Sequence, residues 1–243
     1  MRLGAAADVE HVTPVLARAA LAAALHDTYD TYDTYGTDDT ADPACGAHGL
    51  LPPTTAVPVA HPNGFVKLPL ARVAHDGRRL FLHIWVAGEE DAEIHDHRWD
   101  FASTVLRGTL DNTTVDIAPR HEHEHRYDDE GGYRVVHYRP RPGGYRFTPV
   151  GEGAGHDVVV TSRRTASLTA GARYRMTARA LHHARALPGT VTLIARGAPL
   201  RDHARVLTRG PLSDRPTAWR AVDAAERRRH LSEAYAIVDG LTP

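Results

Sequence analysis

His95, Asp96 and His97 set two imidazoles one residue apart. In extended backbone such residues point to the same side, so both rings address one point. Two neutral imidazoles side by side suit a divalent metal or a proton-transfer site. A third histidine, His182, lies far downstream in a similarly apolar run, Leu181-His182-His183-Ala184. Three imidazoles on one ion accept Fe(II), and also Ni, Co, Cu or Zn by ligand type. They leave coordination positions open for substrate and O₂ or water, as catalysis requires. Whether the three converge is the main question the chain poses.

Other residues compete for notice. His121-Glu122-His123-Glu124-His125 is rich in ligand types, but Pro119-Arg120 precede it and Asp128-Asp129-Glu130-Gly131-Gly132 follow. That setting reads as an exposed hairpin loop with at most an adventitious metal site. His83 alternates with Phe81 and Trp85, which suits a pocket wall or, slightly better, a satisfied core histidine. Cys45 stands beside Pro43 and Gly46 with no partner and is assigned no role. With a single cysteine no intrachain disulfide is possible, and a reducing cytoplasm is the expected compartment.

The elements that must position these groups follow from periodicity. Residues 9–26 read as an amphipathic helix, with Val12, Val15, Leu16, Ala19 and Ala20 at helical spacing. Three tandem Asp-Thr-Tyr copies from Asp27 form a low-complexity acidic linker. From about residue 60 the period becomes strand-like. Apolar runs at Phe65 to Leu70, Leu80 to Val86, Ser103 to Leu106, Tyr133 to Tyr138, Val158 to Thr161 and Thr190 to Ala195 alternate with turn residues. Short strands at this spacing predict an all-β sandwich or barrel. After Pro211 the helical period returns, with Trp219, Val222, Leu231, Ala234 and Val238 on one face and arginines 227–229 on the other.

The chain has 243 residues, 42% of them hydrophobic, and a net charge of −1. That bulk suits one domain with extensions, and it argues against nucleic acid or an anionic membrane as partner. No apolar run is long enough to span a bilayer as a helix. Of 29 basic residues only Lys67 is a lysine, which singles it out.

The histidines also fall into a known pattern. The chain resembles the cupins, whose first motif is His-any-His, a few residues, Glu, six residues, Gly. Here three residues follow His97, then comes Phe101, then six residues, then Gly108. Phenylalanine therefore stands where the pattern has its glutamate ligand. Asp100, one residue too early, is the nearest carboxylate substitute. Gly88, where the motif would open, is one residue further from His95 than the pattern asks. The second motif places a histidine eleven positions after a glycine, as Gly171 and His182 do. This register favours His182 over His183, since adjacent strand residues face opposite ways.

The resemblance implies an all-β fold, a cupin-type antiparallel jelly-roll barrel over residues 60–210. A helix and linker over 1–59 precede it, and a C-terminal helix over 211–243 follows. It implies a metal site of His95, His97 and His182, similar to that of the thiol dioxygenases, the cysteine dioxygenase group. By the same alignment Lys67 falls where that group binds a substrate carboxylate. Arg196 and Ile194 fall near its tyrosine and histidine, which argues against cysteine as substrate. The expectation is a metal-dependent oxygenase, with Fe(II) first among metals, acting on a small anionic molecule and O₂. Lys67, Arg196 and Phe101 would line the substrate site. A metal-dependent isomerase or lyase and a non-catalytic ligand-binding cupin are the alternatives. A homodimer through exposed sheet edges is a possible assembly.

Overall fold

A computed structural model describes residues 13–26, 49–51, 57–61, 63–87, 93–120, 132–141, 144–149, 157–209 and 219–240. The Asp-Thr-Tyr linker, Cys45, Gly88 and the His121–His125 run lie outside the described residues. The elements in chain order are helix α1 (Pro14–His26), strands β1 (Leu50–Leu51), β2 (Val59–Ala60), β3 (Val66–Val73), β4 (Arg79–Trp85), β5 (Phe101–Arg107) and β6 (Thr109–Pro119), then β7 (Tyr133–Arg141), β8 (Gly144–Pro149), β9 (Asp157–Thr169), β10 (Arg173–Met176), β11 (Leu181–Ala186), β12 (Thr190–Arg196), β13 (Ala204–Thr208), β14 (Arg220–Ala221) and helix α2 (Ala224–Gly240).

Two antiparallel sheets form a jelly roll. One runs β10-β5-β12-β4 and extends outward through β3, β2 and β14, with β1 also on β3. The other runs β11-β6-β9-β7-β13. The segment around His95 completes the second sheet. His95 bridges antiparallel to both His182 of β11 and Val206 of β13. This joins the two ends of the strand path, so the sheet closes into a ring through one short segment. The hairpin of β7 and β8 is inserted between β6 and β9.

Alternation along the strands divides core from cavity. Leu80, Leu82 and Ile84 of β4 face outward, and Phe81, His83 and Trp85 face inward. Leu80, Leu82, Ile84, Leu68, Leu193 and Ala195 pack with Ala17, Ala20, Leu21 and Ala24 of α1 and Leu231, Ala234 and Val238 of α2. The helices are tied to each other as well. Arg18 pairs with Asp239 at 2.7 Å, and Arg227 donates to the Ala24 carbonyl at 3.1 Å.

Three expectations need correction. The α1 face is rotated: Ala17, Ala20, Leu21 and Ala24 are buried, and Val15 is 62% exposed. Packing against a curved sheet selects small residues here rather than the β-branched ones. Trp219 and Val222 precede α2 instead of lying on it, because β14 continues the sheet up to Ala221. Of the three arginines, Arg228 and Arg229 are exposed, but Arg227 is half-buried and reaches α1, where a carbonyl of the last turn lacks a helical partner.

The two motif glycines mark tight turns. Gly108 joins β5 to β6 at φ 81° and Gly171 joins β9 to β10 at φ 86°. At Gly108 a Cβ would also lie 2.8 Å from the Thr190 Cα. Conformation and space both demand glycine there.

Candidate metal centre and anion pocket

Residues 94–97 are extended but form no regular strand. Their backbone is held from two sides. His95 exchanges hydrogen bonds with His182 at 2.9 and 2.8 Å, and the Leu207 amide donates to the Ile94 carbonyl at 2.8 Å. The His97 amide donates to the Ala178 carbonyl at 3.2 Å. With the backbone fixed, alternation sends His95 and His97 inward and Asp96 the other way.

Asp96 is fully buried. Its carboxylate accepts the Arg205 amide and the Arg205 Nε, both at 2.6 Å, and pairs with Arg201. Arg201 also donates to the carbonyls of His97 and Ala178, each at 2.6 Å. A carboxylate and two guanidiniums thus clamp the ligand-bearing segment to the β12–β13 connection. Such a buried charge is tolerated because it is paired and hydrogen-bonded. Nothing in the sequence distinguishes these two arginines among so many.

The three histidines meet. One nitrogen from each of His95, His97 and His182 lies within 4.8 Å of the others. The chemistry of the donors suits a cation. His95 Nδ1 lies 2.9 Å from the Glu93 carbonyl, and His182 Nδ1 lies 2.8 Å from Asn112 Oδ1. Both acceptors fix the proton on Nδ1 and leave the Nε2 lone pair free, the usual support for a metal-binding imidazole. His97 Nε2 and His182 Nε2 are 2.9 Å apart. Two nitrogens about 2.1 Å from one ion at a right angle would stand about that far apart. Burial, then the neighbouring imidazoles, hold His97 and His182 well below the ordinary histidine range. Both are therefore neutral near pH 7, the form that binds metal.

Phe101 closes one side, its ring edge-on to His97 at 5.0 Å. It is 5% exposed and serves as an apolar wall where the cupin pattern has glutamate. Asp100 is no substitute ligand. Its Oδ1 accepts the Ala178 amide at 2.6 Å and ties down the turn before β11. His183, one residue on, pairs in register with Thr113 and stands outside the cluster.

Beside the histidines the barrel wall carries two cations. Lys67 Nζ and the Arg196 guanidinium each lie 4.7 Å from the Phe81 ring centroid. Arg196 also stacks over Trp99 at 4.0 Å, and Trp99 stacks on His97 at 6.0 Å. Enclosure, then Arg196, pushes the Lys67 ammonium down to about 7. Burial, then Arg79 and Arg98, brings Arg196 down to about 10. The Arg196 Nε is buried without a hydrogen-bond partner among the described residues.

His83 belongs to this wall. It is half-buried, stacks on Phe65 at 4.2 Å and pairs in register with Lys67 across β3 and β4. Its pKa is well below the ordinary value, through burial first and Lys67 second. Sequence reasoning missed His61 and Tyr145, which complete the enclosure. His61 stacks on Phe65 at 4.6 Å and its Nε2 lies 2.6 Å from the Tyr145 hydroxyl. Tyr145 comes from the inserted hairpin, so no local spacing could have linked it to the pocket.

No known family's sequence model matches the chain, and no curated protein matches it. Solved structures do. An RmlC-like cupin from Shewanella frigidimarina is 16% identical, covers 61% of this chain and 88% of its own, and gives a TM-score of 0.32. Hydroxypropylphosphonic acid epoxidase from S. wedmorenis is 14% identical over 58% of this chain and 55% of its own, at 0.33. An oxalate oxidase is 14% identical over 75% of this chain and 72% of its own, at 0.34. Similarity this low carries no argument about the reaction. The jelly-roll assignment rests on the strand order above. Among the described residues no helix is long and apolar enough to cross a membrane.

Proposed function

We propose that this chain is an Fe(II)-dependent cupin oxygenase acting on a small anionic molecule. The observation that carries the reading is the adjacency of three converging imidazoles to two enclosed basic groups, Lys67 and Arg196, that share the Phe81 ring. The ion, when bound, supplies a Lewis-acidic centre with open positions for substrate and O₂. The chain's own residues do the rest. His95, His97 and His182 hold the ion, with Glu93 and Asn112 orienting two of the rings. Lys67 and Arg196 hold the anionic end of the substrate and orient it toward the histidines. Phe101, Trp99 and Phe81 exclude water from that side.

Purified protein from iron-replete cells should carry close to one iron per chain, and each single His→Ala variant at positions 95, 97 and 182 should lose it. A candidate substrate should drive O₂ consumption. Folded wild-type protein with no affinity for any divalent metal would overturn the proposal. Turnover under argon would instead favour a metal-dependent isomerase or lyase.

A further inference from the structure

We propose that Lys67, Arg196 and Tyr145 form one site for a doubly charged oxyanion, a phosphate ester or phosphonate head group on the substrate. The inference rests on the reading above that the histidine centre acts on an anionic molecule, and it names the class of anion.

Charge counting is the first argument. The charged groups that act on Lys67 are Arg196, Arg79 and Arg98. Those acting on Arg196 are Arg79 and Arg98, together with the hydroxyls of Tyr145 and Tyr138. Among the described residues no carboxylate acts on either. The contrast lies one layer away, where Asp96 sits between Arg201 and Arg205. Without a counter-ion the two enclosed groups are costly to keep charged together, and an anion arriving with the substrate holds both in their charged forms. A single carboxylate neutralises one of them, and a dianion neutralises both.

Tyr145 supplies the third contact. The Asn63 amide donates to His61 Nδ1 at 3.2 Å, so that nitrogen carries the lone pair. The proton of neutral His61 is then on Nε2, which donates to the Tyr145 oxygen at 2.6 Å. This leaves the Tyr145 O–H free to donate elsewhere. Burial pushes the phenol up to about 12 and the imidazole down to about 3. The pair therefore stays a neutral donor chain through the physiological range. Arg196, on the neighbouring wall, acts on this hydroxyl.

Shape is the third argument. Lys67 comes from β3, Arg196 from β12 and Tyr145 from β8 of the inserted hairpin. Donors carried by separate strands of two sheets reach a common anion from different directions. A planar carboxylate offers its lone pairs in one plane, whereas a tetrahedral oxyanion offers them on several sides.

The test compares methyl phosphate with methyl sulfate, which share shape and differ by one charge well above a pH of about 6. Calorimetric titration uses the full-length Fe(II)-loaded protein under argon, with metal content measured on every sample. Methyl phosphate should bind at least about tenfold more tightly. Tyr145→Phe should weaken it by about tenfold with metal content unchanged. Lys67→Met, run independently, should erase the preference for the dianion. Equal affinity for the two esters, or wild-type affinity in folded Tyr145→Phe, would overturn the inference. Selective binding by protein that holds no metal would leave the inference standing and sink the proposed function. A metal-loaded protein indifferent to charge would sink the inference alone.

Discussion

The strands β3, β4 and β12 have two faces of opposite character. The outer face offers Leu68, Leu82 and Leu193, each at most 1% exposed and roofed by two helices. The inner face offers Lys67, His83 and Arg196, whose charged forms are all disfavoured by enclosure. One face contributes stability and the other consumes it. A change on the outer face should therefore act on folding, and a change on the inner face on binding.

The largest expected effect lies at the inner centre. His97→Ala should abolish stoichiometric metal, read by elemental analysis, while urea denaturation of the metal-free protein changes little or improves. Next comes Leu82→Ala on the outer face. It should cost about 3 kcal/mol in urea unfolding and leave metal affinity in the surviving folded protein unaltered. If this variant lost metal as readily as His97→Ala, the division between faces would fail.

Asp96→Asn tests the clamp behind the ligands, where both consequences should appear together. Loss of about 3 kcal/mol is expected for a broken buried ion pair, with weaker metal binding because the His95–His97 backbone loosens. Asn112→Leu should be milder, with metal affinity falling about 10-fold to 100-fold and stability nearly unchanged, read by competition with a chelator.

The smallest effect concerns pH. Lys67 loses its proton near pH 7 in the folded chain and near 10.5 when unfolded. Between those values the unfolded state binds more protons, so stability rises with pH across that window. Lys67→Met should be more stable than wild type at neutral pH and should flatten the rise. A wild-type stability that falls from pH 7 to 10, with the same slope in Lys67→Met, would show that the ammonium is not enclosed.

Much of this was legible in the residues. The spacing of His95 and His97, the distance from Gly171 to His182 and the alternation at Phe81, His83 and Trp85 are local signals, and strand geometry translates them directly. Gly108 and Gly171 were legible as motif positions, and the positive φ at each shows why glycine stands there. What stayed hidden was long-range. Asp96 reads as a spacer until Arg201 and Arg205, more than a hundred residues away, are folded against it. Asn112 is one polar residue among several on β6, and only the register Ala184↔Asn112 brings it under β11. Tyr145 depends on where an inserted hairpin lands. The Phe101 substitution was visible as a departure from pattern, yet only its contact with His97 shows that it became a wall.

The closed sheet has a mechanical consequence. Its ring is sealed through the short segment 94–97, and the histidines that a metal would join belong to the two sides of that seam. His97 and His182 are 85 positions apart in the chain. An ion held between them acts as a reversible cross-link that fastens a long loop, and long loops lose the most freedom when tied. Metal loading would then be felt far from the pocket, as slower amide exchange along β11 and β13 and a higher melting temperature that chelation reverses.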